Sequence, residues 1–179
     1  MPAPTVITNK KMTTKPKQLN FGQVLQQKML ELKLVPNLDG FIGCTPDEIE
    51  AVRIGQQVDF LPKIYREFLM EMGRLARPLM PYEVYWYPHL SELKDWLVED
   101  AESHNLPVTL PEDAFLVAMS SDDRCFYFHT AGQEENPMIY EYFLAQPSLP
   151  VVPLNQWFDL ILQAAVQHRS CNLPQVWKN

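Results

Sequence analysis

The chain contains little glycine, and none of it forms a phosphate-binding loop. Only six of its 179 residues are glycine, and none stands in the spacing of a nucleotide-binding motif. Long apolar runs are also missing, since no stretch approaches the roughly 18–20 residues that a membrane span needs. The N-terminal segment lacks the apolar core of a signal peptide and the arginines of a transit peptide. We therefore expect a cytoplasmic protein with no cofactor and no contact with a membrane.

Cysteine is scarce and widely spaced. Cys44, Cys125 and Cys171 are an odd number of thiols without the spacing of a disulfide framework, which indicates reduced cysteines. Cys44 directly precedes a predicted helix, whose N-terminal dipole favours a thiolate. A nucleophile also needs a positioned base, and no histidine can be placed beside Cys44 from the sequence. A small structural cysteine is the favoured interpretation.

The histidines do not form a recognisable metal site with these cysteines. Cys125 and His129 would lie about 13 Å apart along one strand, too far to ligate the same ion. His168 and Cys171 are three residues apart and resemble half a site, but zinc needs three or four protein ligands. We therefore predict no bound metal.

Acidic residues outnumber basic ones, and the imbalance is uneven. The net charge is −7, but residues 1–18 hold four lysines and no acid, so the remainder carries −11. An acidic body disfavours nucleic-acid binding and is compatible with a basic protein partner. Residues 1–18 also have few large apolar groups, which predicts a flexible basic tail before one domain at residues 19–179.

Explicit start and stop signals mark the helices. Asn20 is placed to cap a helix that carries an apolar face of Phe21, Val24, Leu25 and Leu32. Thr45 and Glu48 form a capping box with Pro46 at the first helical position, and Gly55 is expected to provide a left-handed stop.

A third helix is predicted to begin at Leu61-Pro62 and to end at Gly73. It has an apolar stripe formed by Leu61, Tyr65, Phe68, Leu69 and Met72.

The second half of the chain alternates strands with turns. A strand is predicted over 81–87, a helix over about 89–103, and strands at 114–119, 125–129 and 138–143. Two turns join the last three strands into an antiparallel meander. Pro147, Pro150 and Pro153 indicate an extended connection, and Asn155 is predicted to cap a closing helix bearing Phe158, Ile161, Leu162 and Ala165. The fold class is therefore α+β, with an antiparallel sheet packed against helices.

Several short motifs in this order resemble the SUKH superfamily, which is named partly for yeast regulators of cell-wall synthesis. They are the acidic opening helix from Thr45, the Leu-Pro-x-x-Tyr-x-x-Phe-Leu pattern of residues 61–69 with Gly73, the strand Phe126-Tyr127-Phe128, and the closing helix from Trp157 to Leu162. The resemblance spans Phe41 to Gln167. One departure is the turn at 120–124, which has no glycine where the family often does.

This resemblance implies a non-enzymatic α+β module. Many bacterial members are immunity proteins that bind and neutralise a toxin, often a nuclease or deaminase, while fungal members are interaction hubs. The family offers no common catalytic residues to transfer to this chain.

Candidate contact residues come from exposed aromatics and paired acids. If Tyr85 and Tyr87 face the solvent, both are predicted contacts, because exposed tyrosine is enriched at interfaces. Asp122, Asp123, Glu134 and Glu135 follow strands of the meander and are predicted to form one acidic rim that faces a basic toxin.

The leading prediction is a non-catalytic protein-binding module, in its specific form an immunity protein that occludes the active site of a toxin. The alternative is a scaffold or regulatory adaptor without a toxin partner. The second alternative is a small hydrolase whose cleft combines His129 with carboxylates brought together by the fold.

Overall fold

The computed structural model of the protein describes residues 18–76, 79, 83–120 and 124–171. The predicted tail lies outside the described residues except for Gln18. The described α-helices are Phe21–Glu31 (α1), Pro46–Gly55 (α2), Lys63–Met72 (α3), Leu93–Ser103 (α4) and Leu154–Cys171 (α5), with a 3-10 turn at His89–Ser91. The strands are Glu83–Val84 (β1), Ala114–Ser120 (β2), Arg124–His129 (β3), Met138–Phe143 (β4) and Leu149–Pro153 (β5).

The strands form one antiparallel sheet in the order β1-β2-β3-β4-β5, which is a meander. The sheet packs against helices, so the predicted α+β class is confirmed. None of the described helices is long and apolar enough to span a membrane.

The first two helices begin at the predicted caps. The Asn20 side chain accepts the Gln23 N–H at 2.8 Å, and the Gln23 side chain accepts the Asn20 N–H at 3.4 Å. Thr45 and Glu48 form the same reciprocal pair at the start of α2. These side chains use backbone donors that the first helical turn otherwise leaves unpaired. Of the predicted α1 face, Leu25 is buried, whereas Val24 and Leu32 are exposed.

The left-handed stop after α2 is at Gln57 rather than at Gly55. Gly55 is the last helical residue, whereas Gln57 has a φ of 54°. Gly55 is needed for a different reason, since a Cβ there would lie 2.7 Å from the Ser91 carbonyl oxygen. The glycine therefore permits the close approach of the 3-10 turn to α2.

One face of the sheet packs against α3 and α5 through an aromatic core. Tyr65 contacts both Phe115 and Phe128, with ring centroids 5.2 and 5.6 Å away, and Phe68 packs 4.7 Å from Phe158. All five residues of the predicted stripe are buried, but α3 begins at Lys63, so Leu61 precedes the helix.

The proline-containing segment after β4 forms a strand that the sequence did not predict. Leu149–Pro153 pairs with β4 as the edge strand β5, where a residue without an N–H is tolerated. The predicted strand at 81–87 is shorter in the described residues, where only Glu83 and Val84 pair with β2. The closing helix begins at Leu154, one residue before its predicted cap.

Candidate functional site

An aspartate and a histidine meet at one end of the sheet. Asp113 immediately precedes β2, His129 ends β3, and the antiparallel register places Ala114 opposite His129. The Asp113 Oδ1 and His129 Nδ1 atoms are 2.9 Å apart. Asp113 also fixes the turn after β3, because its Oδ2 accepts the Ala131 N–H at 3.1 Å and its carbonyl accepts the Thr130 hydroxyl at 2.8 Å.

The carboxyl of Asp113 is held in its charged form. Burial raises the pKa of Asp113, but the hydrogen bonds from His129 and from the Ala131 N–H together lower it by more, so the net pKa is below its usual value. The carboxylate is therefore charged at neutral pH.

Two tyrosines form an aromatic wall beside this pair. Tyr127 and Tyr140 are opposite each other on β3 and β4, with stacked rings 5.3 Å apart. The His129 ring meets both at a steep angle, with centroids 5.5 and 5.2 Å away. Residues two apart in a strand share a face, so Met138 lies on the same face as Tyr140.

Much of this end of the sheet is open to solvent. Tyr127 is buried, but Tyr140 and His129 are half-buried, Met138 is 37% exposed, and Glu134 in the preceding loop is exposed. We call Asp113, His129, Glu134, Met138 and Tyr140 the His129 surface. It combines aromatic and aliphatic area with carboxylates, which is the composition of a protein contact rather than of a closed cleft.

Lys94 of α4 lies near this surface, but its ammonium group donates to backbone carbonyls of the fold. Its Nζ donates to the Gln56 carbonyl at 2.6 Å and to the Glu112 carbonyl at 3.4 Å. Burial lowers the pKa of Lys94, and the nearby charge of Asp113 opposes that shift. The ammonium group is thus tied to two backbone oxygens.

The Asp113–His129 pair has part of the geometry of a general base. An aspartate bonded to Nδ1 orients an imidazole, and Nε2 then remains for a proton transfer. Among the described residues, one carboxylate lies within hydrogen-bonding distance of His129. No group of three or more His, Cys, Asp or Glu in that part of the chain is arranged to hold a metal ion.

The described residues hold half of the predicted acidic rim. Asp122 and Asp123 lie outside the described residues, so the rim that they would form with Glu134 and Glu135 stays a prediction. Glu134 and Glu135 lie in the loop between β3 and β4. Glu112 and Asp113, just before β2, are at the same end of the sheet as this loop.

Glu135 has a partner within the fold. Its carboxylate accepts the Lys63 N–H at 2.5 Å, at the start of α3, where Pro62 provides no side-chain cap. A negative charge at this position also interacts favourably with the helix dipole. Glu134, its neighbour in the loop, makes no hydrogen bond or ion pair with the described residues.

The two predicted tyrosine contacts differ from each other. Tyr85 does not face the solvent: it is 3% exposed, and its hydroxyl donates to the Ala76 carbonyl at 2.6 Å. It is therefore removed from the predicted contact set. Tyr87 is half-buried beneath the Arg74 guanidinium, 5.7 Å from its ring centroid. Arg74 also pairs with Glu48 of α2, so Tyr87 lies beside that ion pair.

Cys44 does not have the environment of a nucleophile. It is buried, and burial raises the pKa of its thiol to about 11 against the opposing charge of Arg74. The thiol is protonated at neutral pH, as the structural interpretation predicts.

Comparison of the chain with protein-family models and with curated proteins found no match. The resemblance to the SUKH superfamily thus rests on the motifs of the sequence.

Tyr140, Met138 and Asp113 are the site residues that the sequence reasoning missed. The signals were present: Met138 and Tyr140 alternate on one face of a predicted strand, and Asp113 precedes the strand that pairs antiparallel with the strand ending at His129.

Proposed function

We propose that this protein is a non-catalytic module that binds a basic protein partner through the His129 surface. The observation that carries the proposal is the half-buried Tyr140 and exposed Met138 at the end of the sheet where Asp113 meets His129, with the exposed Glu134 in the loop before β4. Tyrosine and methionine supply interface area, and the carboxylates complement a positive partner.

The acidic body supports the same assignment. Residues 19–179 carry a net charge of −11, which favours encounter with a basic surface and selects against acidic partners. In its specific form, the module acts in the cytoplasm as an immunity protein and occludes the active site of a basic toxin domain. A regulatory adaptor without a toxin partner would use the same surface.

Paired affinity capture followed by mass spectrometry tests the proposal. Wild-type protein is compared with a Glu134→Lys/Tyr140→Ser variant and with a control variant, Glu102→Lys/Leu160→Ser, that changes an exposed acid and an exposed apolar residue elsewhere. We expect one basic protein to be recovered by wild type and control and to be lost from the His129 surface variant. Equal recovery by all three, or no specific partner, would contradict the proposal.

The captured partner then separates immunity from adaptor function. Expression of a toxin partner alone should stop cell growth, and co-expression of wild-type protein should restore it. The Glu134→Lys/Tyr140→Ser variant should not restore growth, whereas the control variant should. A partner that is harmless when expressed alone identifies an adaptor.

The Asp113–His129 hydrogen bond favours a hydrolase as the second candidate. An orienting carboxylate on Nδ1 is one component of nucleophilic catalysis. Hydrolysis of an ester or amide substrate that is abolished by His129→Gln would support this candidate over the binding module, because a contact residue has no role in turnover.

A further inference from the structure

A second exposed aromatic cluster lies on α4 and the segment before it. Trp86, His89 and Trp96 are each half-buried, with the His89 ring between the two indoles at centroid distances of 6.4 and 5.3 Å. We call these three residues the tryptophan cluster. The buried stripe of α4 is formed by Leu93, Leu97 and Ala101, and Trp96 lies beside it.

The tryptophan cluster is separate from the His129 surface. On a helix, Trp96 and Lys94 point about 160° apart, because each residue advances by about 100°. Lys94 reaches Glu112 beside the His129 surface, so Trp96 lies on the opposite flank of α4.

Carboxylates surround Trp96 on the helix surface. Glu92 precedes it by four residues, Glu99 follows by three and Asp100 by four, and residues at these spacings are neighbours on a helix. Trp96 N–H donates to the Glu92 carbonyl at 3.0 Å, which shows that the helical spacing extends back to Glu92. This flank therefore joins two half-buried indoles to three acids.

Among the described residues, no lysine or arginine pairs with the acids of this flank. Their partners there are two imidazoles: His89 Nδ1 is 3.6 Å from a Glu92 carboxylate oxygen, and His104 Nδ1 is 3.5 Å from Asp100 Oδ1. Neither indole N–H donates to an atom of the described residues, and no lysine or arginine there lies over either ring. A cationic ligand with several donors would therefore find carboxylate acceptors beside the indoles.

We propose that the tryptophan cluster binds an arginine side chain of a partner protein. A guanidinium stacks on an indole face and carries five donors in a plane, so it can pair with carboxylates while it covers the ring. Lysine offers a compact ammonium and no planar face, and a neutral residue would add no positive charge to a flank where only imidazoles contact Glu92 and Asp100. The charge and shape of the cluster thus select arginine.

Titration of the ¹⁵N-labelled protein with short peptides tests this inference. The probe is a Gly/Ser peptide with three arginines, compared with matched peptides in which lysine or citrulline replaces arginine. The readout is the chemical shift of the Trp86 and Trp96 indole N–H signals. We expect the arginine peptide to shift both signals with saturation, the lysine peptide to bind several-fold more weakly, and the citrulline peptide to leave the signals in place.

Matched substitutions test whether the arginine peptide binds at the tryptophan cluster. Glu92→Gln should weaken arginine-peptide binding by about three- to tenfold, because a charge-assisted hydrogen bond is lost. Glu102→Gln, an exposed acid elsewhere on α4, should not change it. Trp96→Leu should abolish the Trp86 shift, and the remaining amide spectrum reports whether this variant is folded.

Three results would overturn the inference: indole signals that do not move with the arginine peptide, equal shifts with the citrulline peptide, or equal losses from Glu92→Gln and Glu102→Gln. Glu134→Lys at the His129 surface should leave peptide binding intact. The inference therefore stands or fails independently of the proposed function.

Discussion

At the residue scale, Gln56 is a fully buried amide that joins three elements. Its Nε2 donates to the carbonyls of Leu90 and Leu116, each at 2.7 Å, and its Oε1 accepts the Leu116 N–H at 2.7 Å. It thereby links the end of α2 to the 3-10 turn and to β2. The sequence offered no signal for this role, because only the fold brings these backbone groups together.

Substitution of Gln56 by methionine should be strongly destabilising. The side chain keeps its length but leaves two carbonyls and one N–H buried without partners, so we expect a loss of about 3 kcal/mol in the free energy of unfolding. Urea denaturation measures the loss. The control is Gln57→Met at the next, exposed position, where a change within about 0.5 kcal/mol is expected. Equal effects at both positions would refute the assigned role.

Cys44 should be unreactive in the folded protein. In a Cys171→Ser background, iodoacetamide at pH 8 should leave the thiols of native protein unmodified and alkylate both in denaturant, as mass spectrometry would show. The pKa of Cys44 is raised from 9.0 to about 11, so its contribution to stability is complete below pH 9 and is lost as pH rises towards 11. Faster alkylation of Cys44 in native than in unfolded protein would contradict this description.

Asp113 should make the free energy of unfolding decrease at acidic pH. Because its pKa is lowered on folding, its contribution is present above about pH 3.8 and is lost as pH falls below that value. Asp113→Asn should therefore be less stable than wild type at pH 5, with a smaller difference at pH 3. Chemical denaturation at both values measures this. Asp95→Asn, an exposed position on α4, is the control, and a difference for Asp113→Asn that is constant with pH would disprove the linkage.

At the element scale, Glu135 connects the β3–β4 loop to the start of α3. Glu135→Ala removes the carboxylate that accepts the Lys63 N–H and should cost about 1 kcal/mol, the usual effect of a lost helix cap. Glu134→Ala changes the adjacent exposed acid and should have little effect on stability. Thermal unfolding of the two variants provides the comparison, and equal melting temperatures would exclude the cap.

Local signals predicted the elements whose ends depend on their own residues. The helix cap at Asn20, the capping box at Thr45, the stripe of α3 and the meander strands all follow from short-range chemistry. The incorrect predictions are at positions whose structure depends on contacts with residues distant in the sequence. Gly55 leaves room for the close approach of Ser91 and does not form a left-handed turn. Pro150 and Pro153 are tolerated in β5 because it is an edge strand.

At the scale of the whole molecule, the candidate site depends on topology that composition cannot reveal. Residue type predicted a rim from two acidic pairs, of which Asp122 and Asp123 lie outside the described residues. The antiparallel pairing of β2, β3 and β4 brings Asp113 to His129 and places Tyr140 beside His129. Neither contact could be predicted from residue type alone, because each joins residues that are distant in the sequence.

The affinity of the captured basic partner for surface variants tests the central claim most directly. Isothermal titration should show that Glu134→Lys and Tyr140→Ala each weaken binding by at least about tenfold, the range for interface residues that matter. Glu102→Lys, an equal change of charge on α4, should alter binding much less, and added salt should weaken wild-type binding. Equal affinity for Glu134→Lys, Tyr140→Ala and wild type would contradict the assignment of the His129 surface.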